Sequence, residues 1–272
     1  MLFAFLTYEM LLIPAGTFQM GESEGRHEVT LTEAYWMGKF EVTQALWKSL
    51  MGENPTATGH QFWNGEEHAA CAVYHGDSAV GDDKPVTCIS FLQSAEFANR
   101  LSMKDGLKPV YEIDGKDVRW REDANGYRIP TEAEWERAAR GGLDTTYVGT
   151  SVPKEVCTYG NVRDASAAKL DITTDPFPCD DGVPQLATVG SYKANAYGLH
   201  DMIGNVLEFT WDWHAPYPDA PATDPRGPAS AEKRVVRGGA WIGKVHKAKV
   251  SFRGVDAVDV GGRALGLRLA RD

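Results

Sequence analysis

The chain has 272 residues, 43% of them hydrophobic and 24% charged, with a formal net charge of −10. That length holds one large domain or two small ones with a sizeable core, and the balance excludes long disorder. A general nucleic-acid binder needs a basic footprint and adhesion to an anionic membrane needs a basic patch, so the acidic balance argues against both. No apolar run reaches the length of a membrane span, so no transmembrane segment is expected. The 28 Gly, 14 Pro and 8 Trp point to a turn-rich fold packed around aromatic anchors.

The opening Met1-Leu2-Phe3-Ala4-Phe5-Leu6 is apolar, but it is too short for a signal segment and no basic region precedes it. It reads as a first strand, with Leu11-Leu12-Ile13-Pro14 as the next. Three helices carry start signals. Thr43 precedes Ala45-Leu46-Trp47 and Leu50-Met51. Ser90 with Gln93 forms a capping box before the stripe Phe91, Ala95, Ala98, Leu101. Thr131 with Glu134 forms a second, in a helix that runs to Arg140 and stops at Gly141-Gly142. Glu132, Glu134 and Glu136 fall in its first turns, where acidic side chains suit the macrodipole. From Gly142 onward helical period fades. Leu186-Ala187-Thr188-Val189 and Arg234-Val235-Val236-Arg237 read as short strands, and Trp211, Asp212 and Trp213 as core and turn. So irregular a half needs side-chain networks, water or metal ions to satisfy its backbone.

The cysteines are Cys71, Cys88, Cys157 and Cys179. No C-x-x-C pair exists, and His68, Cys71, His75 and Cys88 fit no common zinc spacing. Two readings stay open: local disulfides Cys71–Cys88 and Cys157–Cys179 in an exported protein, or buried free thiols.

Seven segments occur in one order along the chain. They are Ile13-Pro14-Ala15-Gly16-Thr17-Phe18-Gln19-Met20-Gly21, Phe40-Glu41-Val42-Thr43, Lys84-Pro85-Val86-Thr87, Tyr127 to Glu136, Tyr197 to Val206, Arg237-Gly238-Gly239-Ala240-Trp241 and Leu265 to Ala270. In this order they resemble the formylglycine-generating-enzyme (sulfatase-modifying factor) family. The resemblance implies an α+β fold of the C-type-lectin-like kind, rich in irregular structure, as a single domain over 1–272.

Oxidising members of that family use paired cysteines after Arg-Gly-Gly, where a thiolate binds copper and begins the reaction. Here Trp241 to Phe252 contains no cysteine, and Cys179 is the last in the chain. No copper and no enzyme activity are therefore expected. His246 and Ser251 lack recognisable triad partners, which weakens a hydrolase reading. The stretch Val255 to Gly262 mixes small apolar and acidic residues without a period, between strict family blocks. A rigid frame with arbitrary filling is the pattern of a binding surface on a scaffold. It resembles the variable proteins of diversity-generating retroelements, treponemal ones among them, with 237–272 as the C-terminal variable region. Adenine miscopying at Asn codons cannot yield Lys, Gln, Glu, Met or Trp. Residues 242–265 contain no Gln, Glu, Met or Trp, and Lys244, Lys247 and Lys249 would be fixed positions. The candidate variable positions are Ile242, Gly243, Val245, His246, Val250, Gly254, Val255, Asp256, Asp259, Val260 and Ala264. Trp241, Phe252, Arg253, Gly266, Leu267 and Arg268 read as scaffold.

The resemblance also implies structural calcium on oxygen ligands. One site would use the Asn161 and Asp181 side chains with the carbonyls of Val162 and Val183. A second would use Asp201 and Glu208 with the carbonyls of Gly204 and Val206. The plainer readings are an Asp-Asp-Gly turn for Asp181 and a core salt bridge for Glu208. The expected role is a non-enzymatic receptor or adhesin, a monomer displayed on the cell surface, that binds a protein or glycan ligand. Its rivals are a formylglycine-generating oxidase or an inactive relative, and a structural module with one fixed ligand.

Overall fold

The computed structural model describes residues 7–58, 61–63, 66–68, 77–170 and 175–272. Four strands open the described chain: β1 (Met10–Ile13), β2 (Gly16–Met20), β3 (His27–Leu31) and β4 (Tyr35–Gly38). Then come α1 (Gln44–Met51), α2 (Pro55–Thr58), the hairpin β5 (Gln61–Trp63) and β6 (Glu66–His68), α3 (Phe91–Lys104), the hairpin β7 (Tyr111–Asp114) and β8 (Asp117–Trp120), and α4 (Glu132–Arg140). The second half holds the one-turn α5 (Ala165–Ala168), then β9 (Leu207–Trp213), β10 (Ala222–Thr223), β11 (Arg234–Arg237), β12 (Gly254–Asp256), β13 (Leu265–Gly266) and β14 (Ala270–Arg271).

The three expected helices form where their caps place them. The Thr43 hydroxyl accepts the Leu46 N–H at 3.2 Å. Ser90 with Gln93 and Thr131 with Glu134 make complete capping boxes. Gly141, at φ 59°, closes α4 in the left-handed conformation. The first strand expected at 1–6 lies outside the described residues. Two other expectations are corrected. Leu186–Val189 is not a strand. The Asn205 side chain brackets Ala187, accepting its N–H at 3.0 Å and donating to its carbonyl at 3.4 Å, while the Val189 N–H reaches the Asp83 carbonyl. Side chains there do the work of a neighbouring strand. Conversely, Trp211–Trp213 belongs to β9. It is covered on both faces, so the alternation that marks a half-exposed strand is missing.

Three small sheets organise these pieces. β4 pairs antiparallel with β1 on one side and with β14 on the other, tying the last residues to the first described strand. β3 lies between β2 and β10. The third sheet runs β12-β11-β9-β13, with β11 inside it and β12 at the edge. α4 packs on β2, β3, β9 and β11, so it joins two sheets. Trp135 and Ala138 of α4 enter one core cluster with Ile13, Met37 and Ile203. The second cluster gathers α1 and α3, where Trp47 stacks on Phe97 at 4.9 Å. Cys157 and Cys179 form a disulfide. Cys88 is also disulfide-bonded, whereas Cys71, His75 and the His68 side chain lie outside the described residues.

Candidate functional site

Arg237 ends β11 fully buried, and its guanidinium reaches across to the segment that follows. Nη1 donates to the carbonyls of Ser251 at 3.0 Å and Phe252 at 2.7 Å, and Nη2 to that of Val250 at 2.9 Å. Nη2 also pairs with Glu136 of α4, which in turn holds Arg140 at 2.6 Å. One arginine thus fixes the far end of the 240–250 loop against α4. Gly239 is at φ 74°, and a Cβ there would lie 2.8 Å from the Lys247 carbonyl, so only glycine lets the loop cross so closely. Trp241 is fully buried beneath the loop.

The later part of the segment is pinned in the same way. Arg253 grips both oxygens of Glu132, at 2.6 and 2.8 Å, donates to the Ala215 carbonyl and stacks 3.9 Å from the Tyr217 ring. Arg268 pairs with Glu208 at 2.9 Å and donates to the carbonyls of Gly38 and His200. Glu132 and Glu136 are therefore buried ion-pair members that anchor the C-terminal segment, beyond the helix-end role read from their position. Glu134 completes the capping box and pairs with Arg128 at 2.6 Å.

Between these pins the chain surfaces twice. His246 is exposed, and Ile242, Gly243 and Val245 are half-buried. Along the edge strand β12 and the turn after it, Val255 and Val260 are exposed, while Gly254, Asp256 and Asp259 are half-buried. His246 packs edge-on to Phe252, 6.0 Å between ring centres, and Phe252 in turn lies beside Gly254. Asp259 forms an ion pair with Lys116 of the β7–β8 turn, so a residue outside the segment touches this face. Two expected surface positions are corrected. Val250 is buried in the core cluster of Trp135 and Val148, and Ala264 is buried in the small cluster that holds Trp241 and Leu186. Both sit where the segment dives back to its pins, and no periodic pattern marked that turn inward. Lys244 and Lys247 are exposed on the same loop and join its accessible face.

The second set of residues carried over as calcium ligands, Asp201, Gly204, Val206 and Glu208, lies in a buried polar nest; in the first, Asn161 and Val162 are buried but Asp181 and Val183 are half-buried. Asn161 is fully buried. Its Nδ2 donates to the carbonyl of Gln185 at 2.5 Å, and its Oδ1 has no hydrogen-bond partner. Val162 is buried beside it. Asp181 accepts the Val183 N–H at 2.7 Å and the Tyr192 hydroxyl at 2.8 Å, the Asx geometry of the plainer reading, and burial pushes its carboxyl up to about 6. No hydrogen bond joins Asn161 to Asp181. In the nest Asp201 Oδ2 accepts the Gly190 N–H at 2.6 Å, while Oδ1 is buried and unpartnered. Burial pushes this carboxyl up to about 6 as well. Glu208 carries the expected core salt bridge and also accepts the Trp135 indole N–H at 2.6 Å. Glu41, which the sequence reading did not single out, completes this nest. It accepts from Asn205 Nδ2 at 2.7 Å and the Val206 N–H at 3.2 Å, and burial, with Asp201 and Glu208 nearby, holds its carboxyl well above the usual range. Asn161 Oδ1 and Asp201 Oδ1 are thus each buried without a hydrogen bond, while among the described residues no three His, Cys, Asp or Glu side chains converge as a metal site.

The family profile described as "Sulfatase-modifying factor enzyme 1-like domain" matches residues 4–272. The chain belongs to the sulfatase-modifying factor family. It is 33% identical to Chaperone protein LppX of Paenibacillus barcinonensis over 97% of this chain and 89% of that protein. It is 28% identical to the formylglycine-generating enzyme of Streptomyces coelicolor over 96% of this chain and 88% of the enzyme. Among solved structures, Treponema denticola variable protein 1 superposes with a TM-score of 0.78 at 29% identity, covering 96% of this chain and 94% of that one. The sulfatase-modifying factor family thus includes proteins named as enzymes and proteins that are not, and its C-type-lectin-like α+β fold is the one seen here. In this member the family blocks act as pins: Arg237, Gly239 and Arg268 hold the segment that runs between them.

Proposed function

We propose that this chain is a non-enzymatic ligand-binding protein. Its surface is made by 242–247 and 254–260, and it meets a protein or glycan ligand outside the cell. The observation that carries this reading is the pinned but cysteine-free segment. Arg237 and Arg268 hold it at its ends and Arg253 in its middle, yet no cysteine follows Cys179, so the thiolate on which the family's oxidation depends is missing. The exposed residues among the candidates, His246, Val255 and Val260, touch little that would resist exchange. The likeness to a protein named as variable supports diversification of this face, and the Cys157–Cys179 disulfide fits an oxidising compartment. The LppX relative is named a chaperone, which favours a polypeptide as the ligand over a glycan.

In this reading calcium is structural. Asn161 and Asp181 with the Val162 and Val183 carbonyls hold one ion, and Asp201 and Glu208 with the Gly204 and Val206 carbonyls hold another. The unpartnered oxygens of Asn161 and Asp201 support this assignment.

Sequencing the locus across isolates tests the display role. Substitutions confined to the exposed positions of 242–260, with a downstream near-copy rich in Asn codons beside a reverse-transcriptase gene, are expected. An invariant segment would favour a fixed ligand instead. Incubation with copper and a cysteine-containing sulfatase peptide should yield no aldehyde, and turnover would overturn the non-enzymatic reading.

A further inference from the structure

A cavity of about 340 Å³ lies between β2 and the last turn of α4, walled by Phe18, Arg26, Arg137, Arg140, Asp144 and Tyr197. Its charge is unusual for so acidic a chain: three arginines face one aspartate. Arg137 is only 9% exposed. Its Nε and Nη2 donate to the carbonyls of Pro14 and Ala15, both at 2.8 Å, and the Phe18 ring lies 5.9 Å from its guanidinium carbon. No carboxylate among the described residues pairs with it, and no hydrogen bond among them uses its Nη1. The site is built around this side chain. Gly16 is at φ 139°, and a Cβ there would come within 2.9 Å of Nη2, so the chain keeps a glycine where the guanidinium passes. Arg140 is locked by Glu136 and by the Gly21 carbonyl. Arg26 and Arg140 share Asp144, which is well exposed and reaches them at 2.7 and 3.3 Å.

A buried guanidinium without a counter-ion, lining an open cavity, is a receptor for an oxyanion, because Arg presents a planar fork of donors that matches one. Asp144 already plays that part for the two neighbouring arginines. The volume sits near the low end of the about 300–1,000 Å³ typical of small-molecule sites, which is room for more than a bare ion. We propose that this cavity binds the carboxylate or sulfate of a group of monosaccharide or amino-acid size. Arg137 supplies the unmatched charge, Asp144 is an internal anion that the ligand displaces, and the Tyr197 ring forms a side wall. All of these residues lie outside 237–272, so this is a fixed site and does not depend on how the variable segment is read.

Calorimetric titration of the full chain at constant ionic strength tests it, with sulfate, glucuronate, glucose 6-sulfate and glutamate as probes and glucose as the neutral control. Saturable binding of at least one anionic probe and none of glucose is expected. Tighter binding of a sugar acid, sugar sulfate or amino acid than of bare sulfate is expected, and sulfate binding as tightly as the larger probes would overturn the size assigned to the ligand. Arg137→Gln should weaken the binding at least tenfold. Asp144→Asn, at an exposed position that holds no core, should strengthen it severalfold. Absence of saturable binding overturns the proposal. So does wild-type affinity in a folded Arg137→Gln protein or, if that variant does not fold, an Asp144→Asn protein that binds no better.

Discussion

Arg128, Arg234, Arg237 and Arg268 are among the largest fully buried side chains, and they offset the cost of a buried charge in two ways, with carboxylates, as Arg128 does with Glu134 and Asp272, or with aromatic rings. Arg237 and Arg268 use carboxylates and backbone carbonyls. Arg234 lies in a box of rings, 3.8 Å from Trp213, 4.3 Å from Phe91 and 4.7 Å from Trp211, and burial pulls its pKa down to about 10. Replacing Arg237 by Gln strands three loop carbonyls and takes one partner from Glu136. Urea unfolding should show a loss of about 3–5 kcal/mol, the range for breaking a buried pair. Asp212 gives a pH prediction. Burial, with Glu132 and Glu134 nearby against Arg253, pushes its carboxyl up to about 8, while its backbone bond to the Glu132 N–H pulls the other way. An unfolded Asp titrates near ~3.9. Between those values the folded state holds the extra proton, so this group's contribution makes stability fall as pH rises from about 4 to about 8. Asp212→Asn should flatten that slope in denaturation curves measured across the same range, and an unchanged slope would assign it to other groups.

At the scale of elements, local signals and tertiary pins divide the work. The capping boxes of α3 and α4 satisfy their own backbone donors, so Thr131→Ala should cost about 1 kcal/mol, as read by thermal melting. The disulfide between Cys157 and Cys179 closes a loop with little regular structure of its own. Replacing both with Ser should cost about 2–4 kcal/mol in the same assay. Within the C-terminal segment the two kinds of valine should separate cleanly. Val255 on the edge strand is exposed, and Val255→Thr should stay within about 0.5 kcal/mol of wild type. Val250 is buried against the core, and Val250→Ala should cost about 2 kcal/mol through lost burial and a residual cavity. Equal effects at the two positions would deny the division of this segment into face and foundation.

Across the whole molecule, regular ladders are short and buried polar groups carry the long-range connections. Glu41, Asn161 and Asn205 join segments far apart in sequence, as when Asn205 reaches Glu41 at 2.7 Å. If the Asn161 and Asp201 oxygens take calcium, the ion ties those segments in the folded state only. Tm should then rise with calcium concentration, because a ligand of the native state stabilises by mass action. The shift should shrink in Asp201→Ala, and a Tm indifferent to calcium in the wild type would remove the ion from this account.

The helix starts at Thr43, Ser90 and Thr131 were legible from sequence, because a cap and its helix lie within four residues of each other. So was the absence of a cysteine after Arg237-Gly238-Gly239, a matter of composition within one segment. The strand β9 was not legible, since burial on both faces erases its alternation, nor was the irregular path of Leu186–Val189, whose partners come from Asn205 and Asp83. The inward turn of Val250 and Ala264, the use of Glu132 and Glu136 as anchors for the C-terminal segment, and the place of Glu41 beside Asp201 and Glu208 all depend on residues distant in the chain. Local conformation follows from near neighbours, so sequence alone determined the helices and the missing thiolate. Which side chains face outward is set by packing and by where each arginine finds its carbonyls, and only the tertiary structure decided that.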